Sequence, residues 1–274
     1  MEKLDGSLQT HPVLRIILCR LAFAFISLTL ILSYWFNLTV HQLQTPVLEY
    51  PYVDPTYWIL ILSKIPQLLS GNYFIALTFD LLLFSSTILV IRYPLKRWLI
   101  FAFFILYSLY FFILNIYGAH HAHSKVGILL VSSVFLFKEK YFPFIWQGLR
   151  YFAAFIFLDA FLWKLFRGSL MHPDQGLLII KRNMTPYLLY HKDTWKAQFY
   201  QFLLQRPLLV NLLFKIGVLL EGIFIVAFFS KKWDKYLLLT LLFLPVGFYV
   251  FADAYFFEMW ILALAFIPQK WYSN

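Results

Sequence analysis

The chain has 274 residues, of which 62% are hydrophobic, 22% aromatic and only 13% charged, and its mean hydropathy is +0.73. Soluble domains run nearer half apolar and a quarter charged, so a soluble globular fold is excluded. The net charge of +10 carries no basic stripe or stacking motif of the kind that reads nucleic acid; the basic residues instead flank apolar runs, as the positive-inside rule requires.

Residues 1–12 are short and polar. The run 13–36 is too long for the apolar core of a signal peptide and no small-residue cleavage site follows it, so it is expected to remain as the first span. It carries Arg15, Cys19 and Arg20. Because Cys19 is the one cysteine, an intramolecular disulfide and C-x-x-C redox chemistry both drop out, and Cys19 reads as a small core residue. The loop 37–71 holds Pro46, Pro51 and Pro55 and a short apolar piece, 57–62, that cannot cross a bilayer and belongs at its interface. Sequons at Asn37 and Asn183 matter only where those loops are lumenal in a eukaryotic host.

Further spans are expected over 72–91 with Asp80, 98–117, a short one at 126–137, 145–166, and 208–229 with Glu221. The stretch 236–268, interrupted by Pro245, Gly247 and Asp253, reads as two short spans. Candidate amphipathic pieces fall near 175–190 and 194–205. The fold expected is therefore all-α: a polytopic transmembrane helical bundle of about eight spans, one domain over 1–274. The basic turns at Arg92, Lys96 and Arg97, at Lys138 and Lys140, and at Lys231, Lys232 and Lys235 then share one side, the cytoplasmic one, with both termini. The loops 37–71 and 167–207 and the polar knot Gly118-Ala119-His120-His121-Ala122-His123-Ser124-Lys125 meet at the opposite, outer face.

The ionisable residues inside the runs are the functional candidates, because charge in hydrocarbon is costly and is kept for a purpose. Arg20, Asp80, Arg150 and Glu221 read as helix-to-helix ion pairs. Asp159 and Lys164 are five positions apart, about 140° around a helix, so they cannot face one partner. Lys164 needs another counter-ion, a wet cavity in which a neutral amine would act as general base, or a path to the interface. His120 and His123, at i and i+3, are acid–base candidates. Too few convergent ligands accompany them for a metal site, and none is expected. Nucleotide-loop and serine-hydrolase patterns are absent.

Two short motifs resemble the vitamin K-dependent gamma-carboxylase family and, more broadly, the horizontally transferred transmembrane (HTTM) domain. They are the pair His123-Ser124, and the segment Tyr151-Phe152-Ala153-Ala154 followed by Ala160-Phe161-Leu162-Trp163-Lys164-Leu165. The resemblance implies a hydroquinone cofactor, menaquinone- or vitamin K-like, deprotonated by Lys164 with His123 and His120 in support. His121, Asp159, Trp163 and Arg167 would then sit on the cofactor's side. It also implies quinone-dependent carboxylase- or oxygenase-like lyase chemistry in a bacterial inner membrane, with the site facing outward. This chain departs from the pattern where Phe161 replaces a glycine, Trp163 replaces a lysine, and His121 and Ala122 replace asparagines; these 274 residues hold no counterpart of the family's large peptide-binding portion. Two other classes stay open. One is a membrane scaffold or partner subunit that meets a protein at the outer face. The other is a small transporter with a polar path through Asp80, Glu221 and Asp253.

Overall fold

The structure, a computed structural model, describes residues 12–43, 58–59, 62–116, 126–252 and 256–267. His120, His121, His123 and Asp253, and residues 44–57 of the first loop, lie outside that set, and so do the expectations placed on them. Among the described residues every regular element is helical. Two compact units, Met1–Gln147 and Gly148–Asn274, make up the chain.

The first unit is built on α1 (Pro12–Trp35), a single 3-10 turn (Val40–Gln42), α2 (Ile65–Ser70), α3 (Tyr73–Arg92), α4 (Arg97–Ile116) and α5 (Val126–Val134). Its contacts fix an alternating order. Ser27 and Thr87 share a hydroxyl hydrogen bond of 2.7 Å, and Asp80 receives the backbone of Val40 and His41, so α3 runs antiparallel to α1. Phe23 packs edge-on to Phe103 and the Tyr110 hydroxyl donates to the Leu38 carbonyl at 3.0 Å, so α4 runs parallel to α1. Arg15 Nη2 donates to the Phe135 and Phe137 carbonyls at 3.1 and 2.6 Å, which brings the end of α5 to the start of α1. Arg15, the Arg92–Arg97 turn and Lys138 therefore gather at one end of this unit, as an up-and-down order of spans predicts. Asn72 begins α3 by accepting from the Phe74 and Ile75 amides, two of the donors that a helix start leaves unpaired.

The second unit takes most of α6 (Phe142–Phe166), then α7 (Gln175–Tyr190), α8 (Trp195–Leu204), α9 (Pro207–Gly222), α10 (Asp234–Ala252) and α11 (Trp260–Ala263). After Gly222 the chain of α9 continues as 3-10 turns over Ile223–Phe228. The pairings between α6 and this segment descend in strict order. Tyr151 stacks on Phe228 at 5.8 Å, Phe157 stacks on Phe224 at 4.6 Å, and Lys164 meets Glu221. Hence α6 lies antiparallel to α9. The amphipathic pieces of the 167–207 loop are helices, α7 and α8. Their apolar residues Ile180, Met184, Tyr200 and Leu203 pack on Val210, and the Tyr200 hydroxyl donates to the Val250 carbonyl at 3.0 Å. This helical pair therefore caps the Pro207 end of α9.

The start of α7 has no side-chain cap of its own. Asn211, from the facing helix, supplies the missing acceptor, taking the Leu177 amide on Oδ1 at 3.2 Å. Replacing this buried residue, Asn211→Ala, is expected to cost about 1–2 kcal/mol and to raise amide exchange at Leu177 first. Unchanged exchange there would show that α7 holds its place without this bond.

Among the described residues five helical segments are long and apolar enough to cross a bilayer: Val13–Gln42, Tyr73–Arg92, Arg97–Leu114, Pro207–Phe228 and Asp234–Phe251. The chain is on this ground a multi-pass integral membrane protein. The described residues do not confirm the count of eight spans. The helix α5 has only 9 residues, about 14 Å, and the apolar piece Phe257–Phe266 is also too short. With 25 residues α6 has the length, but Gln147, Arg150, Asp159 and Lys164 lower its apolarity. Pro245 does not break α10, which continues through it to Ala252; bilayer helices tolerate such a proline where neighbours satisfy the freed carbonyl.

Candidate functional site

Each described ion pair closes a helix junction. In the first unit the Asp80 carboxylate accepts from the Val40 amide at 3.1 Å, the His41 amide at 2.9 Å and His41 Nδ1 at 2.7 Å. The imidazole also lies between two rings, stacked on Tyr34 and edge-on to Tyr73. Asp80 thus serves as the anchor of a backbone turn and is fully engaged there. In the second unit Arg150 donates from Nε and Nη2 to the two oxygens of Asp234 at 2.9 and 2.6 Å, and also to the Ala227 and Ser230 carbonyls. A guanidinium is suited to this fork of acceptors, where an ammonium is not. Arg20, expected in an ion pair, is instead exposed on α1.

The second junction of α6 is of another kind. Lys164 lies in its last turn, 14 residues and hence about 21 Å beyond Arg150. Gly168, at φ 69°, ends the helix in the left-handed conformation open to glycine, and the Ser169 amide closes back on the Lys164 carbonyl at 2.9 Å. The ammonium of Lys164 donates to both oxygens of Glu221 at 2.5 Å. The two partners differ in exposure: the Glu221 side chain is 3% exposed and the Lys164 side chain 31%. A buried carboxylate therefore fixes an amine that keeps one side open. Asp159, on the far side of α6, is exposed, as the five-residue offset predicts.

One turn before Lys164 on α6, Phe161 lines an apolar groove of ≈ 390 Å³ together with Ile216, Leu219, Leu220, Gly222 and Ile223. Leu220 and Gly222 flank Glu221. The ring of Phe161 rests against the bare backbone of Gly222, so closely that a Cβ there would stand 3.0 Å from it. The large residue at 161 does not fill the space: with glycine opposite, it forms one wall of it.

The residues expected to form the site are thus partly distributed. Lys164 is paired with Glu221, one helical turn from Phe161 of the groove. Trp163 and Arg167 are on the exposed side of α6, where the guanidinium lies 4.3 Å above the indole ring. Glu221 is legible in the sequence as a structural ion-pair partner but not as the group that holds Lys164; the signal is the requirement of Lys164 for a second counter-ion. Lys215, in the middle of the Pro207–Phe228 span, is absent from the candidates drawn from sequence, although a lone lysine in such a run is itself a signal. Among the described residues no group of three or more metal-binding side chains converges. No family model, curated protein or solved structure matches the chain.

Proposed function

We propose that this integral membrane protein receives a flat, apolar lipid in the groove between α6 and α9 and exchanges a proton with it through the Lys164–Glu221 pair. The observation that carries the proposal is the asymmetry of that pair: Glu221 is sealed in the protein, while Lys164 is partly open, one helical turn along α6 from Phe161, which lines an apolar groove. For Lys164 to act as base, the ammonium first passes its own proton to the Glu221 carboxylate, leaving a neutral amine beside a protonated Glu221; the amine then accepts the hydroxyl proton, which is what general-base catalysis asks of a positioned side chain. A hydroquinone is the ligand that fits both the groove's chemistry and the motif resemblance around Lys164. It carries acidic hydroxyls on a flat ring and, when lipid-tailed, partitions into the bilayer. The lysines of the 231–235 turn sit at the Arg150 end of α6, so the positive-inside rule puts that end in the cytoplasm and the groove toward the outer half of a bacterial inner membrane.

The test is turnover of a reduced menaquinone analogue by the purified protein in nanodiscs. Lys164→Gln is expected to lower the rate by about 10²–10⁴-fold, the usual worth of a general base, while leaving ligand binding within a few-fold. Equal turnover in the variant and the wild type ends the proposal.

A scaffold role is the second reading, favoured by the observation that Asp80, Arg150, Asp234 and Glu221 are all engaged in structural pairs. Under it the wild type neither binds nor turns over the quinol, and Lys164→Gln alters only the melting temperature.

A further inference from the structure

Lys215 is a membrane-depth charge outside the pairs described above. It is eight residues from Pro207 and thirteen from Phe228 within one candidate span. It is half-buried, and it has no hydrogen-bond or ion-pair partner among the described residues. An ammonium at such a depth is costly unless it is paired or reaches the interface. Its place on α9 says what it faces. Leu219 and Gly222, four and seven residues on, share its side of the helix, and both line the apolar groove. Lys215 therefore lies on the side of α9 that carries Leu219 and Gly222, one turn toward Pro207 from Leu219. Side chains on a helix lean toward its N-terminus, so the ammonium leans toward the bilayer surface on that side, about 12 Å away along the axis.

This arrangement has the polarity of a lipid: a cation on the headgroup side, then two turns of apolar wall leading inward. We propose that Lys215 and the groove form a seat for an anionic lipid of the leaflet on the Pro207 side, the carboxylate or phosphate of its head on Lys215 and its chain along Leu219, Leu220 and Ile223. Charge complementarity selects this occupant. A neutral lipid, the proposed quinol included, uses the apolar wall but leaves the ammonium unmatched, and a free anion leaves the groove empty. The assignment rests on the groove being a ligand site, as in the proposed function, but it uses a different residue and needs no proton transfer by Lys164.

The experiment uses the full-length protein in nanodiscs of neutral phosphatidylcholine, titrated with a pyrene-labelled fatty acid and separately with its methyl ester. The wild type is expected to prefer the acid by about tenfold, the scale of one charge-assisted contact. Lys215→Gln is expected to erase that preference and Lys215→Arg to keep it. Leu219→Trp, a change at an exposed position, is expected to weaken both probes by filling the groove. Lys164→Gln should leave the preference for the acid intact even where quinol turnover is lost, which separates failure of this assignment from failure of the catalytic one. Equal binding of acid and ester by the wild type, or an undiminished preference in a folded Lys215→Gln protein, overturns the proposal.

Discussion

Asp234→Ala is expected to destabilise the protein by about 3–5 kcal/mol, the usual result of removing one partner of a buried ion pair. The side chains of Arg150 and Asp234 are 3% and 8% exposed. Without the carboxylate, the guanidinium keeps its bonds to the Ala227 and Ser230 carbonyls but its charge has no counterpart. The cost arises from that stranded cation more than from the lost attraction, so the double change Arg150→Leu with Asp234→Leu should recover much of it. Denaturant melts of the single and double variants in one detergent decide the matter. A single variant within about 1 kcal/mol of wild type would show that the pair is solvated and holds nothing. The same loss should appear as a freed α6, because this clamp and Lys164–Glu221 are polar junctions that tie it to the 221–234 stretch.

Asp80→Ala should have the next largest effect, about 3 kcal/mol, because it leaves three donors unsatisfied at once at about 1–3 kcal/mol each before relaxation. These are the amides of Val40 and His41 and the imidazole of His41. Val40 is fully buried, so its amide cannot turn to water without unseating the turn. Asp80→Asn retains one acceptor oxygen and should lose less. Amide exchange at residues 40 and 41 should rise sharply in the alanine variant. If exchange there is unchanged, the turn is held by Thr39, Gln42 and the packing of Tyr34 alone. A transport path through Asp80 would need that carboxylate free, and its three bonds argue for an anchor instead.

Much of the architecture is readable from residue type alone. Long apolar runs bounded by basic turns can only be membrane helices, since no other open structure satisfies the backbone in hydrocarbon. The boundaries at Asn72 and Gly168 follow from capping and left-handed geometry, which are local. The site is readable in outline: Lys164 stands out as a cation that its own helix cannot pair, and the 140° offset from Asp159 follows from helix periodicity. The pairings themselves are not legible. Nothing local distinguishes Glu221 from Asp253 as the partner of Lys164, nor marks His41 as the partner of Asp80, 39 positions away. In the sequence Asp234 looks like one more charge in a basic turn, and only the packed helices bring Arg150 to it.

What the sequence by itself determined is the solvent this protein lives in and the helices that solvent demands, because hydrophobicity and backbone satisfaction act residue by residue. Which charges neutralise one another, that Gly222 lets Phe161 stand as a wall, and that Lys215 lies outside those pairs were decided only by tertiary structure. Those outcomes depend on the antiparallel register of α6 on α9, and a register is a property of two packed surfaces that neither strip of sequence carries alone.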